Sequence, residues 1–215
     1  GQRELARLED RFRLLTGGSR TAEARQKTLR ATVDWSHQLL TEPEKVLFRR
    51  LSAFRGGWTL AAAEAVAGKE GLVAEEVLDL LGALVDRSLV QADTGESGGR
   101  FRMLETLRQY AEERVDEAGE TEWLAADHAR YFTALAETGQ RELRGPEQTT
   151  WLHRLRVERR NIDAAVLWCQ RHADTDPGLG LRLVAAMGWF WYFTSNQNAV
   201  GQIEGRLYVA MEYVP

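Results

Sequence analysis

One cysteine, Cys169, is the only thiol in this 215-residue chain. A single thiol excludes an internal disulfide and any cysteine-built metal cluster, and it fits a reducing, cytoplasmic setting. No apolar run approaches the roughly 20 residues that span a bilayer, so no membrane contact is expected. The opening Gly1-Gln2-Arg3-Glu4-Leu5-Ala6-Arg7 is charged and amphipathic, unlike a secretory signal. The four histidines lack metal-ligand spacing: His153 and His172 have no histidine four residues on and no Glu-x-x-His beside them. Ser36 and His37 are helix neighbours that point apart, which excludes a nucleophile–base pair. His128 falls on an apolar stripe and reads as a core or half-buried residue. Neither a Gly-x-Ser-x-Gly elbow nor a Gly-x-x-x-x-Gly-Lys-Ser/Thr loop occurs. Catalytic residues and metal ligands are therefore assigned to none of these positions, and no cofactor is expected.

Charge is modest and uneven. The net charge is −4, but residues 1–60 carry 12 Lys/Arg against 7 Asp/Glu and residues 61–99 carry 2 against 8. An acidic middle offers no broad basic face to phosphates.

Helical periodicity dominates what remains. Leu5, Leu8, Phe12 and Leu15 form one stripe, stopped by Gly17-Gly18; a helix over about 28–40 follows, with Leu29, Val33, Ser36 and Leu40 on one face. Thr41-Glu42-Pro43-Glu44 is a capping box with proline in the first turn, and the next helix aligns Leu47, Leu51 and Phe54. Thr59 opens an alanine-rich helix to Val66, and a helix over 74–86 turns Val77, Leu81 and Leu84 inward. Residues 88–92 and 100–103 then read as two short strands around a glycine-rich tip, running straight into a helix over about 105–118. A helix feeding a two-stranded wing is how a winged-helix domain ends. Beyond it lie helices over about 121–138, 146–171 and 178–194. Their stripes are Leu124, His128, Tyr131 and Leu135; Trp151, Leu155, Ile162 and Cys169; and Leu179, Leu183, Met187 and Phe190. The expected fold class is mainly α: a winged-helix domain with one small β-hairpin, followed by an α-helical hairpin array.

Several phrases, in order, resemble the bacterial STAND (NB-ARC-type) signalling ATPases found in LuxR-type transcriptional regulators. Arg7-Leu8-Glu9-Asp10-Arg11-Phe12 is similar to the end of the helical domain behind their ATPase core. Gln26-Lys27-Thr28-Leu29-Arg30-Ala31-Thr32-Val33-Asp34-Trp35 resembles the opening of their winged helix, and Phe54-Arg55-Gly56-Gly57-Trp58 and the hairpin continue it. His128-Ala129-Arg130-Tyr131-Phe132 and Asn161-Ile162-Asp163-Ala164-Ala165 resemble their tetratricopeptide-like sensor region. The resemblance implies a helical linker end over 1–20, a winged helix over 21–119, a helical region over 120–195 and an atypical tail over 196–215. Residues 200–215 instead resemble two strands of a protein-kinase small lobe, either a junction with foreign sequence or a short hairpin packed on the helices. The ATPase core of that family is missing from this stretch, so ATP or ADP would be expected only with that core.

The candidate sites follow. Met103, Leu104 and Glu105 occupy the place of the family's Met-His-Asp nucleotide-switch signature. Leucine replaces the histidine, so the polar contact is lost, and the favoured reading of Glu105 is an acidic residue at a helix N-terminus, with a switch contact as the alternative. Arg154, Arg156, Arg159 and Arg160 form a basic helix face for an anion or partner. Trp189, Phe190, Trp191, Tyr192 and Phe193 surround a helix axis, so one neighbour cannot bury all five; core packing is the default, and an interface, including a homodimer, is the alternative. The helix over 74–86 carries Glu75, Glu76, Asp79 and Asp86 and no base before Arg87, so DNA binding is not expected from it. The leading functional reading is a regulatory, non-catalytic fragment acting on its own ATPase core or another protein. A DNA-binding winged-helix regulator and an enzyme with a pocket between the two parts are the alternatives.

Without a phosphate cradle, the purified chain is expected neither to hydrolyse ATP nor to bind it tightly. Titration calorimetry that gave micromolar ATP affinity would refute this.

Overall fold

The computed structural model describes residues 30–93 and 99–198. The expected helix over Leu5–Leu15, the wing tip over 94–98 and the tail over 200–215 lie outside them. The described residues fall into two compact units, one ending at Lys45 and the other beginning at Val46.

In the first unit, α1 spans residues 30–38. Val33 and Leu40 are buried, while Trp35 and Leu39 face solvent. The capping box forms as expected on its reciprocal side: the Thr41 amide donates to Glu44 Oε2 at 2.7 Å. That contact starts α2, Glu42–Arg50, which crosses into the second unit.

In the second unit, α2 passes into a 3-10 turn, Leu51–Ala53, and Leu47, Leu51 and Phe54 are buried as the stripe required. A strand not anticipated from the sequence follows, β1, Trp58–Thr59. Thr59 then caps α3, Leu60–Ala67, its hydroxyl accepting from the Ala62 amide. The helix expected over 74–86 begins as a 3-10 turn, Ala74–Glu76, and becomes α4, Val77–Asp86. Val77, Leu81 and Leu84 are fully buried. Ser88 adopts a left-handed φ of 58°, which ends the helix and delays the strand expected from residue 88. The wing strands are β2, Gln91–Asp93, and β3, Arg100–Arg102.

The sheet order is β1-β3-β2, all antiparallel. Phe101 lies opposite Ala92 on one side and Trp58 on the other. The hairpin therefore supplies two strands of a three-stranded sheet. Two residues are too short to show a period of two, so β1 is invisible without its partner strand. Helix, β1, α3, α4, β2 and β3 in this order make a winged-helix domain, as the fold class required.

Only helices follow among the described residues. They are α5, Glu105–Glu117; α6, Thr121–Glu142; α7, Gln148–Val157; α8, Arg159–Arg171; and α9, Pro177–Asn198. α6 is the central helix, packed against α8, α9, α7 and α3. The single helix expected over 146–171 is kinked into α7 and α8 at Glu158. Backbone bonds continue on both sides, from the Glu158 amide to Arg154 and from the Ile162 amide to Glu158, so periodicity alone gave no sign of the kink.

Because Leu81 and Leu84 are wholly enclosed, Leu81→Ala or Leu84→Ala is expected to cost about 2–5 kcal/mol in chemical denaturation. A loss below about 0.5 kcal/mol, typical of surface positions, would remove this face of α4 from the core.

Candidate nucleic-acid interface

The turn between α3 and α4 is held by glycine and by a buried arginine. A Cβ on Gly68 would sit 2.7 Å from the Glu64 carbonyl oxygen and 3.1 Å from the Ala74 Cα, so no side chain fits where α3 ends. Arg50, almost wholly buried, donates to the carbonyls of Ala67 and Glu70 at 3.1 Å each, and also to that of Lys69. Its Nε and Nη2 also reach Glu120, Nη2 at 2.8 Å from Oε1 and Nε at 3.3 Å from both carboxylate oxygens. Arg49 clamps the same carboxylate, Nε to Oε2 at 2.7 Å. Burial pushes the Glu120 carboxyl up, but the two arginines outweigh it and hold it below the usual range. The guanidinium of Arg50 also lies 4.8 Å from the Trp123 ring centre.

The wing is anchored separately. A Cβ on Gly57, whose φ is 102°, would lie 2.8 Å from the Phe101 carbonyl oxygen; glycine lets β1 approach β3. Arg100 on β3 pairs with Glu158, which is 4% exposed. Glu158 Oε2 accepts from Asn161 Nδ2 at 2.8 Å, and the same amide donates to the Gly57 carbonyl at 2.9 Å. Asn161 Oδ1 accepts from the Arg55 amide at 2.6 Å and from His128 Nε2 at 3.4 Å. Both donors and both lone pairs of this fully buried amide are thus used. The sequence reading missed Glu158 and Asn161 as organising residues; polar side chains between apolar helical positions were the available signal. His128 is a core residue, as expected, with Phe54 and Phe132 at centroid distances of 5.6 and 4.6 Å.

These anchors leave one side of α4 open. Leu78 is 53% exposed, and Asp79, Gly82 and Asp86 are exposed beside it. Arg87 closes the helix, donating to the Ala83 carbonyl. On the wing, Arg100 is committed to Glu158, while Arg102 is exposed.

The other candidate residues are dispersed. Met103 is half-buried and Leu104 exposed; Glu105, in the first turn of α5, is bonded to Arg108 at 2.5 and 2.9 Å. The four arginines are all exposed, Arg154 and Arg156 on α7 and Arg159 and Arg160 on α8. Arg154 stacks on Trp151, Arg159 pairs with Asp163 at 2.9 Å, and the Arg160 side chain lies against Gly56. Of the aromatic run, Phe190 is buried and Tyr192 is 41% exposed. Trp189 and Trp191 are half-buried, and Trp189 packs on Tyr192 and Phe193 and under Arg144. Among the described residues no group of side chains could hold a metal, and no helix is long and apolar enough to cross a membrane.

Residues 40–116 match the winged helix-turn-helix domain family. The chain is similar to proteins of Mycobacterium bovis and Mycobacterium tuberculosis provisionally named HTH-type transcriptional regulators, at 44% identity over 183 residues. These cover 85% of this chain and 20% of the relative, so the chain spans about a fifth of their length. It is also 39% identical over 129 residues to an uncharacterized protein of Mycobacterium tuberculosis, covering 60% of this chain and 33% of the relative. No solved structure matches.

These similarities overturn the expectation that DNA binding is absent, since both the domain family and the relatives' names point to DNA. The physical fault lies in counting charge on one helix. Phosphate contacts that position a winged helix come also from the wing, flanking segments and backbone N–H groups, while base edges are read by neutral and acidic side chains too.

Burial lowers the His128 pKa from 6.5 to about 4; the Asn161 bond opposes this and the Arg55 charge adds to it. The imidazole is therefore neutral when folded and protonates first when unfolded. Its contribution to stability is full above about pH 6.5 and is lost as pH falls toward 4, by about 3 kcal/mol in all. Denaturation midpoints at pH 7 and 4.5 should differ more for the wild type than for His128→Gln. An equal difference would contradict a buried neutral imidazole.

Proposed function

We propose that residues 40–116 are the DNA-contacting winged helix-turn-helix of a transcriptional regulator, with α4 presented to the major groove and the β2–β3 wing beside it. The observation carrying this reading is the α3–turn–α4–wing order with one side of α4 left uncovered, in a segment that matches the winged helix-turn-helix family. The relatives' names support the same role. Helix-turn-helix recognition places the second helix of the pair against base edges. Here that helix offers Leu78 and Asp79 near its start, groups suited to a thymine methyl and to cytosine or adenine amino hydrogens, and phosphate contact falls to the wing.

A second reading draws on the same face. Val73 and Leu78 are both exposed large apolar side chains, among acidic neighbours, which also suits a protein. On that reading the chain is a regulatory part of a STAND-type signalling ATPase. It works by intramolecular contacts, with Met103, Leu104 and Glu105 near a nucleotide held by a separate module.

The two readings part in a duplex-DNA titration. In about 50 mM salt, fluorescence anisotropy should show saturable binding with a shallow salt slope, since each neutralised phosphate contributes about 0.9 to it. Arg102→Glu should weaken binding at least several-fold. Absence of binding at that salt would remove the DNA reading and leave the protein-docking one.

A further inference from the structure

Tyr131 and Leu135 share a stripe with buried Leu124 and His128, yet both remain half-exposed. They line an open surface groove of about 290 Å³ between α6 and α7, completed by Ala134, Thr138, Trp151 and Arg154. Two aromatic rings and the Leu135 and Ala134 side chains make the walls mainly apolar, and no carboxylate lines them. Arg154 lies with its guanidinium 4.7 Å from the Trp151 ring centre. Among the described residues it has no carboxylate partner, unlike Arg159 and Arg182, which are both paired.

That combination selects a ligand. A cation would be repelled by Arg154, and a compact dianion would lose hydration against apolar walls without repayment. A neutral ring would fill the space but leave the guanidinium without its strongest kind of partner, a carboxylate. The volume lies just below the roughly 300–1,000 Å³ of small-molecule sites, a size that matches one or two fused rings. We propose that this groove binds a small aromatic monocarboxylic acid, its ring against Tyr131 and Trp151 and its carboxylate on Arg154. The site is independent of the DNA reading and can be tested without nucleic acid.

The test titrates the full 215-residue chain with indole-3-acetate and, separately, with neutral indole-3-acetamide, followed by calorimetry and by 1H–15N spectra of the indole N–H groups. Saturable binding of the acid is expected with a Kd on the order of 100 µM, the range such small ligands reach, moving the Trp151 indole signal. Arg154→Met keeps the stem over Trp151 and removes the charge; it should weaken the acid about tenfold or more and leave the amide unchanged. Arg154 is exposed, so this variant does not depend on a core change. The proposal fails if the wild type shows no binding at about 5 mM acid, if acid and amide bind equally, or if Arg154→Met binds the acid as wild type does. A peptide ending in phenylalanine that bound more tightly than the free acid would also overturn it.

Discussion

The guanidinium of Arg50 ties together three parts of the chain that share no local sequence. It caps the carbonyls at the end of α3, spans the turn that leads to α4, and holds Glu120 at the entrance to α6. A charge this deeply enclosed is stable only with its partners in place, because stripping one partner from a buried pair leaves several kcal/mol of uncompensated desolvation. The position of α4 relative to α2 therefore depends on a residue 70 positions away. The second arginine on Glu120, Arg49, and the Trp123 ring beneath Arg50 complete this joint.

A second polar joint does for the wing what Arg50 does for the turn. Asn161 bonds two backbone groups of the 55–57 segment and two side chains, His128 and Glu158, while Glu158 takes Arg100 from the central strand. Such a network is stable because every valence of the amide is filled, and a half-satisfied version would be worse than an apolar core. It also makes α8 a structural support of β3. The winged helix and the helices after it are thus linked by specific hydrogen bonds as well as by packed apolar faces.

These joints bear on function by deciding which charges remain available. Arg49, Arg50 and Arg100 are consumed internally, and the uncovered side of α4 is acidic and apolar. Under the DNA-binding proposal, few counterions would be released, phosphates would meet the wing, and Leu78 and Asp79 would face the bases. Arg154 differs from the joint-forming arginines in resting on an aromatic wall of an open groove, which is why it suits an external anion.

Local signals were enough to place most helices, their caps and their buried stripes. Thr41 with Glu44, Thr59 before the alanine run, and Val77, Leu81 and Leu84 all lie within one or two turns of the groups they serve. Periodicity and capping record interactions between residues three or four apart, and those do not depend on the rest of the chain. The strand at Trp58-Thr59, the kink at Glu158 and the Arg50–Glu120 joint arise differently. Each needs a partner some 40 to 100 residues distant, or a turn whose helical hydrogen bonds continue through it. The charge of α4 was read correctly as composition and wrongly as function, because one helix does not carry the phosphate contacts of a whole domain. Long-range pairing selects among the conformations that local pattern permits, and only in the packed chain does it have an energy.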